Sequence, residues 1–277
     1  MKLSLSVRIV ESPCKTKLLL PFEQFLTIAR DAGYDAICMR ASAGGVNTPL
    51  SRLTQMRQLV HDEGLKLSMV TADYNVPLNN AEGPQSLRQI GPSLDVAQAL
   101  DCDLIRVCLK QPADIPAAQQ AADQAAARGI RLAHQCHTSS LFEQVGPMLN
   151  VLAEIGRPNF GLIYEPANLM LCGESYGRAT LEQLAPHLMN AYVQNHRLDP
   201  DGPESLPTYC RGEVRYCDLN PWEMGGIDLD EVFTGLRSIQ YDGHFTVHQA
   251  QGLDTYENAR NFANRCAQLM RPWINAG

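Results

Sequence analysis

Ile130-Arg131-Leu132-Ala133-His134-Gln135-Cys136-His137 is a short apolar strand that ends abruptly in two histidines and a glutamine. A strand that is apolar at its start and polar at its end points toward a site. Residues 161–165, 191–196 and 245–249 end in the same way, at Glu165, His196 and Gln249. Upstream, residues 3–9 alternate Leu3, Leu5, Val7 and Ile9 with Ser4, Ser6 and Arg8, the period of two expected of a strand. Between such stretches lie segments with apolar residues at helical spacing. In residues 21–32 they are Phe22, Phe25, Leu26 and Ala29, and Gly33 follows as a helix stop.

The same rhythm fills the chain. Strands are predicted over residues 3–9, 35–39, 65–70, 104–109, 130–137, 160–164, 190–195 and 245–248. Helices are predicted over 21–32, 49–63, 87–100, 115–128, 141–155, 181–188, 229–238 and 256–270. Eight strands alternating with eight helices define an α/β protein, a closed parallel (β/α)8 TIM barrel. An open doubly wound sheet is the competing arrangement, but no strand is followed by the GxGxxG turn that commonly opens one. With no linker or low-complexity stretch, residues 1–277 read as one domain. Residues 197–226 exceed an ordinary connection and read as a functional loop over the site, with Tyr209, Arg211, Arg215 and Trp222 available to it.

Composition narrows the function. Hydrophobic residues make up 45% of the chain and charged residues 19%, enough for a large core. The net charge of −7, with no Lys/Arg-rich block, argues against a nucleic-acid binder, although a few local arginines can still hold a small anionic substrate. No apolar stretch is long enough to span a membrane or to form a leader's apolar region. Nine cysteines without a CxxC pair suit reduced thiols, and the expectation is a cytoplasmic protein.

In a barrel of this kind the working residues sit at the C-terminal ends of strands. Those positions hold Arg8, Arg40, Asp73, Lys110, His134, Gln135, His137, Glu165, Gln194, His196 and His248. A lone histidine is more often structural, and His61, His187 and His244 are read so. Clustering at strand ends lifts His137, His196 and His248 above that reading. Glu165, a carboxylate next to the apolar run Gly161-Leu162-Ile163-Tyr164, needs a partner and is the strongest single candidate. Arg8 and Arg40 are equally placed for structural pairing or for gripping a substrate oxyanion, and Lys110 faces the same choice. Arg106 sits deeper in its strand and reads as structural.

Several stretches resemble the xylose isomerase-like barrel superfamily, the sugar-phosphate isomerase/epimerase group related to endonuclease IV. They are Gly33-Tyr34-Asp35-Ala36-Ile37, Leu104-Ile105-Arg106-Val107, Tyr164-Glu165-Pro166-Ala167-Asn168-Leu169 and Gly225-Gly226-Ile227-Asp228, with Tyr241-Asp242-Gly243 before the last strand. The resemblance implies a divalent-metal site built from Glu, Asp, His and Glu on the fifth to eighth strands. Carried over, these positions fall on Gln135, Glu165, Gln194 and His248. None of the four identities is kept and one position stays acidic, so three negative charges become one. Each lost carboxylate removes a few kcal/mol of attraction at an effective dielectric of about 20. Zinc, manganese, iron or magnesium remains the cofactor the resemblance implies, with weaker binding expected.

The two-carboxylate proton shuttle of the family's epimerases is also broken, because Gln135 cannot take a proton. His248, His137 and Glu165 are then the catalytic candidates, with Arg8, Arg40, Lys110, His196, Arg211 and Trp222 as substrate-binding candidates. Two functional readings follow. One is an isomerase, epimerase or lyase acting on a sugar, polyol or keto acid. The other is a non-catalytic descendant that binds a carbohydrate-like ligand. DNA repair, through the endonuclease IV relationship, lacks the ligands it needs. Many relatives form dimers or tetramers, which makes a homo-oligomer the expectation from resemblance.

Overall fold

The computed structural model describes residues 1–72 and 81–275. Eight strands close into one parallel barrel: β1 (Lys2–Ser6), β2 (Ala36–Cys38), β3 (Lys66–Thr71), β4 (Leu104–Val107), β5 (Arg131–Gln135), β6 (Phe160–Tyr164), β7 (Leu188–Val193) and, last in the chain, β11 (His244–Val247). Each strand pairs with its neighbours in sequence, and β11 closes the ring against β1. Around the ring run α1 (Phe22–Asp31), α2 (Leu50–Asp62), α3 (Gln85–Arg88), α4 (Gly91–Leu100), α5 (Ile115–Ala126), α6 (Val145–Ile155), α7 (Pro166–Leu171), α8 (Arg178–Leu184), α9 (Leu229–Ser238) and α10 (Tyr256–Asn275).

Side-chain alternation along the strands divides the core in two. Leu3, Leu5, Ile37, Ile105, Val107, Leu132, Leu162, Ala191, Phe245 and Val247 pack outward with the helices in the main hydrophobic cluster. The opposite parity makes a second cluster inside the ring: Cys38, Met69, Leu104, Ala133, Ile163 and Tyr192. Beside it the interior is polar and internally paired. Ser4 Oγ lies 2.7 Å from Ser68 Oγ, and the Thr246 hydroxyl donates to Asn190 Oδ1 at 3.2 Å. Two residues further along each strand, that same inward parity leads to the mouth of the barrel.

Four departures from the sequence expectation have local causes. The predicted helix at 87–100 is two helices, α3 and α4, and Pro92 sits in the first turn of α4, where its missing N–H costs nothing. The helix predicted from residue 141 begins at Val145, because residues 138–144 turn around the Glu143 carboxylate. The short helix α7 follows β6 directly, with Pro166 at its first position and Glu165 accepting from the Ala167 N–H at 3.4 Å. Residues 197–226, expected as a loop, fold largely into a three-stranded antiparallel sheet. Its strands are β8 (Asn195–Leu198), β9 (Glu204–Thr208) and β10 (Gly212–Leu219), with β10 in the middle.

The β6–β7 pairing slips by one residue between Leu162 and Ile163. Gly161 sits at that slip, and a Cβ added there would come 2.3 Å from the His187 carbonyl oxygen and 2.9 Å from the Met189 side chain. Backbone cannot step aside as a flexible side chain can. Gly161→Ala is therefore expected to destabilise the protein by about 2 kcal/mol in urea unfolding. An unchanged midpoint would show that the slip absorbs the methyl group.

Candidate active site

The mouth of the barrel holds a pocket of about 480 Å³. One half of its wall is cationic: Arg8 just after β1, Lys15 in the following loop, Arg40 just after β2 and Arg106 on β4. The other half carries amides and imidazoles: Gln135 on β5, His137, Gln194 after β7, His196 on β8 and His248 after β11. Leu206, Tyr216 and Asp218 of the antiparallel sheet close over it.

Parity explains the membership. Arg106 follows the inward Leu104 by two residues, Gln135 follows Ala133, Gln194 follows Tyr192, and His248 follows Thr246. Arg106, read from sequence as structural, thus belongs to the pocket wall. His134 has the outward parity. Its Nε2 lies 3.1 Å from the Leu109 carbonyl and its ring stacks on Phe142, so it supports the core and lies outside the pocket wall. Burial holds the His134 imidazole down to about 3, and it stays neutral.

Buried Glu11 organises the cationic half. Arg40 Nε donates to both of its oxygens at 2.9 and 3.0 Å, the Ser42 hydroxyl donates at 2.6 Å, and Arg8 Nη1 lies 3.7 Å away. Burial, then the neighbouring Arg40, lowers the Arg8 guanidinium to about 10. Lys15 is brought down to about 8 by burial, then by Arg8 and Arg40. The Arg8 Nε is buried without a hydrogen-bond acceptor.

Three imidazoles line the other half. His248 Nδ1 lies 3.1 Å from Ser6 Oγ, and its ring stacks on Tyr192 at 3.9 Å between centroids. The His137 Nδ1–H donates to the Thr138 carbonyl at 2.9 Å, which leaves the basic lone pair on Nε2. Burial, then nearby arginines, keeps both well below the ordinary histidine range, so both are neutral at physiological pH. His196 differs. Its Nδ1 is 2.7 Å from Asp218 Oδ1 across the β8–β10 pair, a close contact without in-line hydrogen-bond geometry. Asp218 is absent from the sequence candidates because residues 197–226 read as a loop. The signal available was the alternation around it, since Tyr216 and Asp218 share one strand parity.

Glu165 lies behind the pocket wall, fully buried. Its Oε2 accepts from the amides of Gln194 at 3.2 Å and Gln135 at 3.4 Å, and burial raises its carboxyl to about 7. Three expected substrate contacts lie elsewhere. Lys110 Nζ donates to the Ser139 carbonyl at 2.8 Å and lines a separate cavity with Tyr209. Arg211 reaches back to the Leu171 carbonyl at 3.2 Å, because its strand end is fastened by Glu143, which accepts from the Tyr209 and Cys210 N–H groups at 2.8 Å each. Trp222 packs on Phe262 and under the Arg265 guanidinium, away from the barrel mouth. Arg215 is taken up by the Gly202 carbonyl within the sheet. Asp73 falls outside the described residues.

The four positions that resemblance assigned to a divalent metal do come together. Glu165 is bonded to Gln135 and Gln194, and His248 shares their pocket. Their chemistry does not fit a dication. The single carboxylate already accepts two amide N–H donors, His248 is engaged with Ser6, and four cationic side chains line the same pocket. The Gln135 Oε1 is buried without a hydrogen-bond partner. Among the described residues, Glu143, Cys172 and Cys210 lie within ligand distance of one another, outside the pocket, with the carboxylate occupied by backbone N–H groups.

A closed parallel barrel with its titratable side chains gathered at the C-terminal mouth defines the class of (β/α)8 barrels built like enzymes. Residues 26–266 match the family model for xylose isomerase-like TIM barrels, and the chain belongs to that family. Similar solved structures include a D-psicose 3-epimerase studied in the presence of D-fructose (16% identity, 99% of both chains covered, TM-score 0.70). Another is the probable 3-DHS dehydratase AsbF of Bacillus anthracis, involved in petrobactin synthesis (16% identity, 98% of this chain and 99% of that one, TM-score 0.70). A third is a xylose isomerase-like barrel protein of Mycobacterium smegmatis in complex with magnesium (14% identity, 99% and 97%, TM-score 0.68). At such identities the likeness is one of fold. A search of curated proteins returned no match. No helix among the described residues is long and apolar enough to cross a membrane.

Proposed function

We propose that the protein is an isomerase-, epimerase- or lyase-type enzyme that moves a proton on a carbon next to a carbonyl group of a sugar-like molecule. The observation that carries this reading is the set of three imidazoles on one pocket wall, one of them held against a carboxylate, opposite a wall of guanidinium groups. The His196 Nδ1 faces Asp218, so Nε2 is the nitrogen assigned to take a proton from carbon. The His196 imidazolium formed in that step returns the proton to carbon or to a leaving oxygen, and His137 and His248, both neutral, are assigned to holding the substrate's hydroxyl groups beside it. Arginine charge on the facing wall stabilises the enolate oxygen that develops between the two transfers. Glu165 is assigned a positioning role, since it holds the Gln135 and Gln194 amides that form the floor and does not itself reach the pocket. This departs from a purely catalytic role for it. Family relatives include an epimerase and a dehydratase, which suits proton transfer next to a carbonyl.

The test is solvent-deuterium incorporation at carbon, followed by NMR, over a panel of ketohexoses, sugar acids and keto acids. Once a substrate is found, Asp218→Asn is expected to lower kcat by about 10- to 100-fold with little change in KM, and His196→Ala by about 100-fold or more. Parent rates in both variants, or no exchange with any member of the panel, would favour a binding protein that has lost catalysis.

A further inference from the structure

We propose that the pocket holds its substrate by an oxyanion, carboxylate or phosphoryl, gripped by Arg8, Lys15, Arg40 and Arg106, and that this cationic cluster stands where a divalent cation would otherwise supply positive charge. The inference rests on reading this pocket as the substrate site, and it adds the chemical class of the substrate.

The first argument is charge. The chain carries a net −7, yet four cationic side chains line this one pocket against one lining carboxylate, Asp218. Two more carboxyl groups, Glu11 and Glu165, are buried behind the wall. Glu11 is committed to Arg40 and Ser42 and touches Arg8 only at 3.7 Å. A concentration of positive charge in a partly enclosed, low-dielectric cleft repels itself, and an anion relieves that repulsion while collecting the Coulomb gain. The lowered values of Arg8 and Lys15, caused by burial and then by each other's neighbours, report the same crowding.

The second argument is hydrogen-bonding capacity. Arg8 lines the pocket and has a buried Nε with no acceptor, a donor that an incoming oxygen would satisfy. Planar guanidinium forks suit two-oxygen groups, and Lys15 adds a point charge at the rim. The third argument is the layout. The cations come from β1, β2, β4 and the loop after β1, while the imidazoles lie on the β5 to β11 side. An oxyanion held by the first half places the rest of a small molecule beside the second. In contrast, a dication entering the same space would meet four like charges, one lining carboxylate, Asp218, and behind the wall a Glu165 already occupied by amides.

Calorimetric titration of the full chain at pH 7 with inorganic phosphate, and separately with malonate, tests this against sodium chloride at matched ionic strength. One oxyanion is expected to bind once per chain, about tenfold more weakly in Arg8→Met and in Lys15→Met. Arg8→Met leaves Glu11 paired with Arg40, and Lys15→Met carries the test if the first variant does not fold. Preference for phosphate assigns a phosphoryl group, and preference for malonate a carboxylate. No binding above chloride, or binding unchanged in both variants, overturns the proposal. So does retention of one manganese ion per chain in equilibrium dialysis, if it is lost on adding Gln135→Ala. Because these readouts need no turnover, the two readings fail separately. Oxyanion binding without catalysis on any substrate removes only the enzyme reading. Turnover that depends on Asp218, with no oxyanion binding, removes only this one.

Discussion

Replacing Arg40 with methionine is expected to destabilise the protein by about 3 kcal/mol, because it leaves the Glu11 carboxylate buried without its main partner. The pair is almost wholly removed from water, with side chains 3% and 2% exposed, and Arg40 Nε serves both carboxylate oxygens. Ser42 and Arg8 remain near Glu11 and hold the loss toward the lower end of the range for broken buried pairs. The prediction has a built-in control. Arg40→Met combined with Glu11→Leu removes both charges and should recover most of the stability, to within about 1 kcal/mol of the parent. Urea unfolding of the parent, the two single variants and the double variant measures the coupling. Additive losses would mean that the two residues do not act as a pair. The design logic is that one buried carboxylate anchors two arginines, and that anchoring aims the rest of the cationic wall at the pocket.

Glu165→Gln is expected to reverse its effect on stability with pH. In the folded protein the carboxyl is raised to about 7 from an ordinary 4.5, mainly by burial, against the opposing help of the Gln194 amide, His196 and the Ala167 N–H. Between those two values the folded chain keeps a proton that the unfolded chain has released. Stability therefore falls as pH rises from 4.5 through 7, by about 3 kcal/mol in total, and the full penalty is present above pH 7. Glutamine carries no such penalty, although it weakens the cap on α7 and one amide contact. At pH 8 the variant should be more stable than the parent by about 2 kcal/mol, and at pH 4.5 equal to it or slightly less stable. Unfolding free energies at the two pH values decide this, and parallel pH profiles would show that the carboxyl is already ionised in the fold. The same experiment bears on the site, since a Glu165 that positions Gln135 and Gln194 should be replaceable by glutamine with a modest loss of activity.

The closed barrel was legible in the chain because each of its signals is local. Alternation at residues 3–9, helical spacing at 21–32 and stops such as Gly33 (φ +78°) depend on neighbours a few residues away. Strand ends also pointed to the cavity at the barrel mouth, beside which Gln135, Glu165, Gln194 and His248 come together. Side-chain parity at each strand end decides which way a residue faces. Parity places Arg106 in the pocket and turns His134 out to Phe142, and both results were available from the spacing to Leu104 and Ala133.

The remaining features depend on register and closure between distant segments. The His196–Asp218 contact joins residues 22 positions apart through antiparallel pairing of β8 with β10, and no pattern in 197–226 announces that register. Lys15 comes from an irregular loop, and only the closure of β1 against β11 and β2 brings it beside three arginines from separate strands. What the sequence by itself determined is the barrel and the order of its strands, since these follow from periodicity. The gathering of Lys15 and Arg106 with Arg8 and Arg40 around one cleft was decided by tertiary structure. Coulomb interactions depend on distances in space, and the fold gathers four cations of an acidic chain around one cleft.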